Sequence, residues 1–244
     1  MKFLTTAPLF ISCILLGRMP ALAGGSGPTP PPAPVALTQI GNVYASASQL
    51  PVELRRIVML PPACGAFSGP LSDGCQMLGP VLQAELIKTG KFEVVAADPE
   101  TLRNCTGALG WTGEETLPSD FFAGLKQFYG CDAVLFCHLT EFRSSAPLAI
   151  GWRLKLVDAK TGAILWAADE IYDAKNAQVA KAAQHFERLQ QPHQSALYHI
   201  YSFLGWCINT PERSALDDQW NILHSPRYFG EFSVAQLLKT LPDR

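Results

Sequence analysis

Charge is scarce in this sequence. Charged residues make up 16% of the chain against 48% hydrophobic, and the formal net charge is −2. No stretch gathers Lys and Arg, so the chain has neither the electrostatic footprint of a nucleic-acid binder nor a polybasic segment for anionic lipid. Histidine is sparse too: there are five, and none has the His-Glu-x-x-His spacing of a zinc protease. The Gly-Lys-Ser/Thr of a phosphate loop and the Gly-x-Ser-x-Gly of a nucleophile elbow are both missing. Beyond the N-terminal region no apolar run reaches the roughly 20 residues of a membrane-crossing helix. What remains is a composition rich enough in apolar side chains to build a packed core, with no sign of general disorder.

The first 23 residues have the order of a secretory signal. Lys2 is a short positive start, Phe3 to Gly17 is apolar apart from Thr5, Thr6 and Ser12, and Ala21-Leu22-Ala23 is a small-x-small cleavage site. This predicts export to the periplasm or cell envelope. A competing reading is lipidation at Cys13, but Phe10-Ile11-Ser12-Cys13 is a poor lipobox, with Leu9 one place too early. A lipid anchor would hold the chain to a membrane. Residues 24–50 read as a linker, opened by the Gly/Pro-rich run GGSGPTPPPAPV (24–35), which favours flexible and polyproline II backbone. Residues 51–244 read as one α/β domain.

Within that domain, Arg56 to Leu60 is the first clear strand, ended by Pro61-Pro62. A Gly/Ser/Pro-rich loop follows from Ala63 to Gly74. A helix over 76–89 carries its apolar stripe on Leu78, Val81, Leu82 and Leu86 and stops at Gly90. Phe92 to Val95 is a short strand, and Asp98-Pro99 opens a brief helix. Pro118-Ser119-Asp120 opens another, with Phe121, Phe122, Leu125, Phe128 and Tyr129 on one face. Asp132 to Phe142 has little alternation and reads as a central strand buried on both faces. Trp152-Arg153-Leu154-Lys155-Leu156 alternates, which predicts one wet face. Asp158 to Gly162 is hairpin chemistry, returning through a strand over 163–172. Helices are expected over 177–189, 195–207 and about 231–241. The order implies a mixed sheet packed by helices in two or three layers.

Candidate chemistry is thin. Cys64 and Cys75 share the Gly/Pro-rich loop and are the expected disulfide pair in an oxidising compartment. Cys137 on a central strand reads as a buried core thiol. Cys131, Cys137 and His138 fit no zinc spacing, and neighbours on a strand such as Cys137 and His138 point to opposite faces. Glu114-Glu115 reads as a solvated acidic pair. Tyr198, Tyr201, Phe203 and Trp206 crowd one helix, as core or as a docking patch. No catalytic residue, metal ligand or cofactor site is expected.

Four segments read together carry a resemblance: RIVMLP from Arg56, LQAELIKTGKFEVV from Leu82, YGCDAVLFCHLTEF from Tyr129 and WRLKLVDAKTGAILWAADE from Trp152. Their order resembles the bacterial envelope family that includes the curli secretion channel subunit CsgG, the penicillin-binding-protein activator LpoB and the N-terminal domain of TolB. The resemblance spans about residues 55–172. It implies an anticodon-binding-like α/β domain, here with additional C-terminal helices, and a non-catalytic accessory role through an envelope protein partner, in cell-wall synthesis or secretion. Two further readings stand beside it: a subunit of an envelope homo-oligomer or export channel, and an envelope hydrolase. Cys137 and His138 stand where the family often has a small residue.

Overall fold

The computed structural model describes residues 42–64, 68–190 and 221–244. Their strands are β1 (Val43–Ala45), β2 (Arg56–Met59), β3 (Glu93–Ala96), β4 (Ala133–Arg143), β5 (Ala149–Asp158) and β6 (Ile164–Asp173). Their helices are α1 (Pro70–Lys88), α2 (Pro99–Thr106), α3 (Phe121–Tyr129), α4 (Ala177–Gln190) and α5 (Pro226–Leu238). The strands form one mixed sheet in the order β1-β6-β5-β4-β2-β3. β2 runs parallel to β3 and β4, and the meander β4-β5-β6 is antiparallel, as is β1 on β6. This is the mixed α/β sheet packed by helices that the strand-helix pattern predicts.

The crossovers set the layers. β2 reaches β3 through α1 on one face, and β3 returns to β4 through α2 and α3 on the other. The larger core lies under α1, α4 and α5. There Ile57, Leu135, Leu139, Trp152, Leu156 and Trp166 meet Leu78, Leu82, Phe229 and Phe232. The smaller core lies under α2 and α3, where Val58, Leu60, Val134, Phe136 and Val157 meet Leu102, Phe121 and Leu125. Among the described residues, the second helical layer, α2 and α3, packs on the β2-β4 side. Among the same residues, three layers stand there and two stand over β5, β6 and β1.

Several elements form for local reasons visible in the chain. The Asp98 side chain accepts a hydrogen bond from the Thr101 amide, and Pro99 supplies the helical φ, so α2 starts there. It runs to Thr106. Gly130 in the left-handed region ends α3. In the β5-β6 hairpin, Asp158 Oδ1 accepts from the Lys160 and Thr161 amides, and Gly162 takes φ 71°.

Two helices begin earlier than expected. α1 starts at Pro70, inside the stretch read as loop, and α5 starts at Pro226. In both the proline occupies the first turn, where its missing N–H costs nothing. The glycines that resemble loop chemistry serve close packing instead. A Cβ on Gly74 would lie 2.6 Å from Phe142 Cγ, and one on Gly230 would lie 2.4 Å from Leu78 Cδ2. β1, and Leu50 at 5% exposure, fall in the 24–50 stretch. The helix expected over 195–207 lies outside the described residues.

Candidate functional site

The alternation in β5 and β6 decides what each face shows. Trp152, Leu154 and Leu156 point into the larger core, which leaves Gly151, Arg153 and Lys155 on the opposite face. In β6, Ala167, Asp169 and Ile171 take the same side, and pairing sets Tyr44 of β1 across from Ala167. Because α2 and α3 stop short of this half, no helix among the described residues covers the face. A shallow groove of about 350 Å³ runs over it, lined by Tyr44, Arg153, Lys155, Ala167 and Asp169 among others. Tyr44 is 55% exposed and Ile171 50%.

The charges on this face are matched. Arg153 Nε donates to Asp169 Oδ2 at 2.7 Å, and its terminal nitrogen donates to Glu114. Lys155 Nζ donates to the Gly113 carbonyl at 2.7 Å. Each pair is partly solvated and is worth at most about 1 kcal/mol. Their main effect is positional: they lay the loop between α2 and α3 along the rim of the groove. The tip of that loop is held by Glu115. Burial opposes the charge of this carboxylate, but hydrogen bonds from Thr112 and from the Thr112 and Gly113 amides outweigh it and hold its pKa below the ordinary range. The acidic pair is therefore built into the structure: Glu114 grips Arg153 and Glu115 folds the turn.

His138 lies beside this network, paired across the sheet with Arg153. Burial pushes its pKa down, and the nearby Glu115 and Asp169 carboxylates pull it partly back. A depressed histidine favours folding while it is neutral. Its contribution is intact above the unfolded value near 6.5 and is lost as pH falls through the lower folded value. An NMR titration of His138 should give a midpoint below about 6.5, and Glu115→Gln or Asp169→Asn should move it lower still. A midpoint at or above the free-histidine value would contradict the burial of this ring.

Among curated proteins and family models no match is found. Solved structures do match. The chain is similar to PelC. The PelC dodecamer from Paraburkholderia phytofirmans is 13% identical, with 83% of this chain and 99% of that chain covered at a TM-score of 0.38. Lipoprotein GNA1162 from Neisseria meningitidis is 17% identical, with 64% and 98% covered at 0.35. LpoB from E. coli, one of the proteins whose segments this sequence resembles, is 15% identical, with 70% and 86% covered at 0.34. At these scores the likeness assigns no role to any residue.

The structure separates Cys137 from His138 as strand geometry requires. Cys137 is fully buried in the larger core, and His138 faces the groove side. Cys131 is buried in the smaller core. Among the described residues no group of three His, Cys, Asp or Glu side chains is placed to hold a metal ion. His185 is on α4, and His224 lies in the turn before α5, both on the helical layer of the larger core. Cys64 and Cys75 are both partly buried thiols, and Cys64 lies near enough to Cys75 to help raise its pKa. Cys13, Cys207, His193, His199 and the aromatic cluster at Tyr198, Tyr201, Phe203 and Trp206 lie outside the described residues. Among the described residues no helix is long and apolar enough to cross a membrane.

Sequence reasoning missed Tyr44, Asp169 and the part played by Arg153. The alternation of WRLKL did signal a wet face on β5. Nothing local marks Tyr44, because its place is set by pairing with a strand more than 100 residues away.

Proposed function

We propose that this chain is an exported, non-catalytic envelope protein that works by binding another protein through the open half of its sheet. The observation that carries the reading is the exposed Tyr44 beside Arg153, on a face that α2 and α3 leave uncovered. Tyr and Arg are the side-chain types that anchor protein interfaces, and a flat sheet face gives them a rigid platform. The charge pattern narrows the partner. Arg153 and Lys155 are offset by Glu114, Glu115 and Asp169, so the face has no excess of positive charge for an anionic polymer or lipid surface. Its complement is a largely uncharged protein surface.

The sequence supports the rest of the reading. Residues 1–23 act as the export signal, with cleavage after Ala23 and a free Gly24. The Gly/Pro-rich run then serves as a tether. The process served is cell-wall synthesis or secretion, the two implied by the envelope family that the four segments resemble.

A photo-crosslinking residue at position 44, used in the native envelope, should yield one adduct of discrete mass containing a different protein. That adduct should disappear when Ala167→Arg fills the groove. The same probe at Phe128, exposed on α3, should yield none. No adduct at position 44, or the same adduct from both positions, would end this reading. An adduct of twice the chain mass would replace it with the homo-oligomer.

A further inference from the structure

We propose that Cys64 and Cys75 close into a disulfide that staples the β2-α1 connection to the second turn of α1. The placement of the two thiols comes from backbone pairing. After β2 the chain continues along β4. The Ala63 amide donates to the Cys137 carbonyl at 2.8 Å, and the Leu139 amide donates to the Ala63 carbonyl at 2.9 Å. Cys64 is therefore placed by its neighbour Ala63, which pairs with β4 beyond the end of β2. Cys75 is fixed from the other side. It sits on α1, packed against the larger core, on a helix that Gly74 allows to approach Phe142 closely. Leu139 joins the two anchors, since its amide donates to Ala63 and its side chain lies against Gly74, and both thiols remain partly exposed.

The surroundings select this pair. Cys75 lies close enough to Cys137 to add to the upward push that burial gives the Cys137 thiol, but Cys137 is fully buried and out of reach of an oxidant. Cys131 belongs to the other core and Cys105 to α2, so neither shares this face of the sheet. Burial pushes the Cys75 thiol up, as does the neighbouring Cys64. In balanced form, the Cys64 thiolate attacks one sulfur of a disulfide oxidant and releases a thiol. Cys75 then loses its proton, attacks the Cys64 sulfur and releases the second thiol. Two electrons pass to the oxidant, one S–S bond forms in the protein and one is lost from the oxidant.

The proposal shares with the export reading only the source of oxidant in the cell, so the test supplies its own. The purified full chain is incubated with oxidised glutathione at about pH 8, alkylated and digested without reduction. Trypsin leaves both cysteines in one peptide, 57–88, which contains no other cysteine. That peptide should appear unalkylated and about 2 Da lighter than its reduced form. Cleavage before Asp73 should then leave its halves joined until a reductant is added. Closing a loop this short should raise Tm by roughly 6–12 °C over the reduced chain. Cys64→Ser and Cys75→Ser should each abolish the rise while retaining the Tm of the reduced wild type. A Cys75–Cys137 link, glutathione stably retained on Cys64, full alkylation of both thiols, or a disulfide with no rise in Tm would overturn the proposal.

Discussion

Trp152→Ala should lower the free energy of unfolding by about 3–5 kcal/mol, measured by urea denaturation. The indole is fully buried at the middle of the larger core, in the central strand of the meander. Its Nε1 donates to Ser233 Oγ at 3.2 Å, and that hydroxyl donates to the Gly230 carbonyl at 2.8 Å. The side chain thus fills volume between sheet and α5 and also completes a short polar chain inside an apolar layer. Removing it opens a cavity and leaves a buried hydroxyl short of a donor. Trp152→Phe separates the two effects. It keeps most of the apolar contact and should cost about 1–3 kcal/mol. A loss below about 1 kcal/mol for the alanine variant would mean that α5 does not seat on β5 in this way.

Phe136→Ala should cost a similar amount, about 3–5 kcal/mol, but its second effect lies elsewhere. Phe136 stacks on Phe121 with ring centroids 5.7 Å apart, and Trp111 meets Phe121 edge-on at 5.3 Å. Gly113 lies over the same ring, so close that a Cβ there would be 2.9 Å from Phe136 Cγ. The floor beneath the Glu114-Glu115 turn is therefore Phe136. Without it, hydrogen exchange should quicken at the Thr112, Gly113 and Glu114 amides beyond what the global loss of stability explains. The Trp152 variant should show no such local excess. Equal protection of the turn in both variants would contradict a loop seated on the smaller core.

How far the sequence reveals this molecule depends on how local each cause is. The β5-β6 hairpin is legible because its turn chemistry lies within Asp158 to Gly162. α3 is legible because an apolar stripe and a terminal glycine bound it. The start of α1 is not, because Gly69, Pro70 and Gly74 carry the residue types of a loop. Only the sheet they pack on shows that small side chains are needed there. α5 is hidden for a related reason: of its first turn, Pro226 to Phe229, only Phe229 is buried, so no amphipathic stripe marks its start. The candidate site divides in the same way. The wet face of β5 is written in its alternation. Tyr44 and the grip of Glu114 on Arg153 arise from pairing and loop placement across long separations, which periodicity does not encode.

The brevity of β1 has a mechanical consequence. This strand spans three residues, whereas β5 and β6 each span ten. Tension entering the fold at Asn42 falls first on that short ladder. It peels away before the meander yields and takes the Tyr44 wall of the groove with it. A pull on this end of the fold would therefore act as a release catch, dismantling the groove while both cores stay shut.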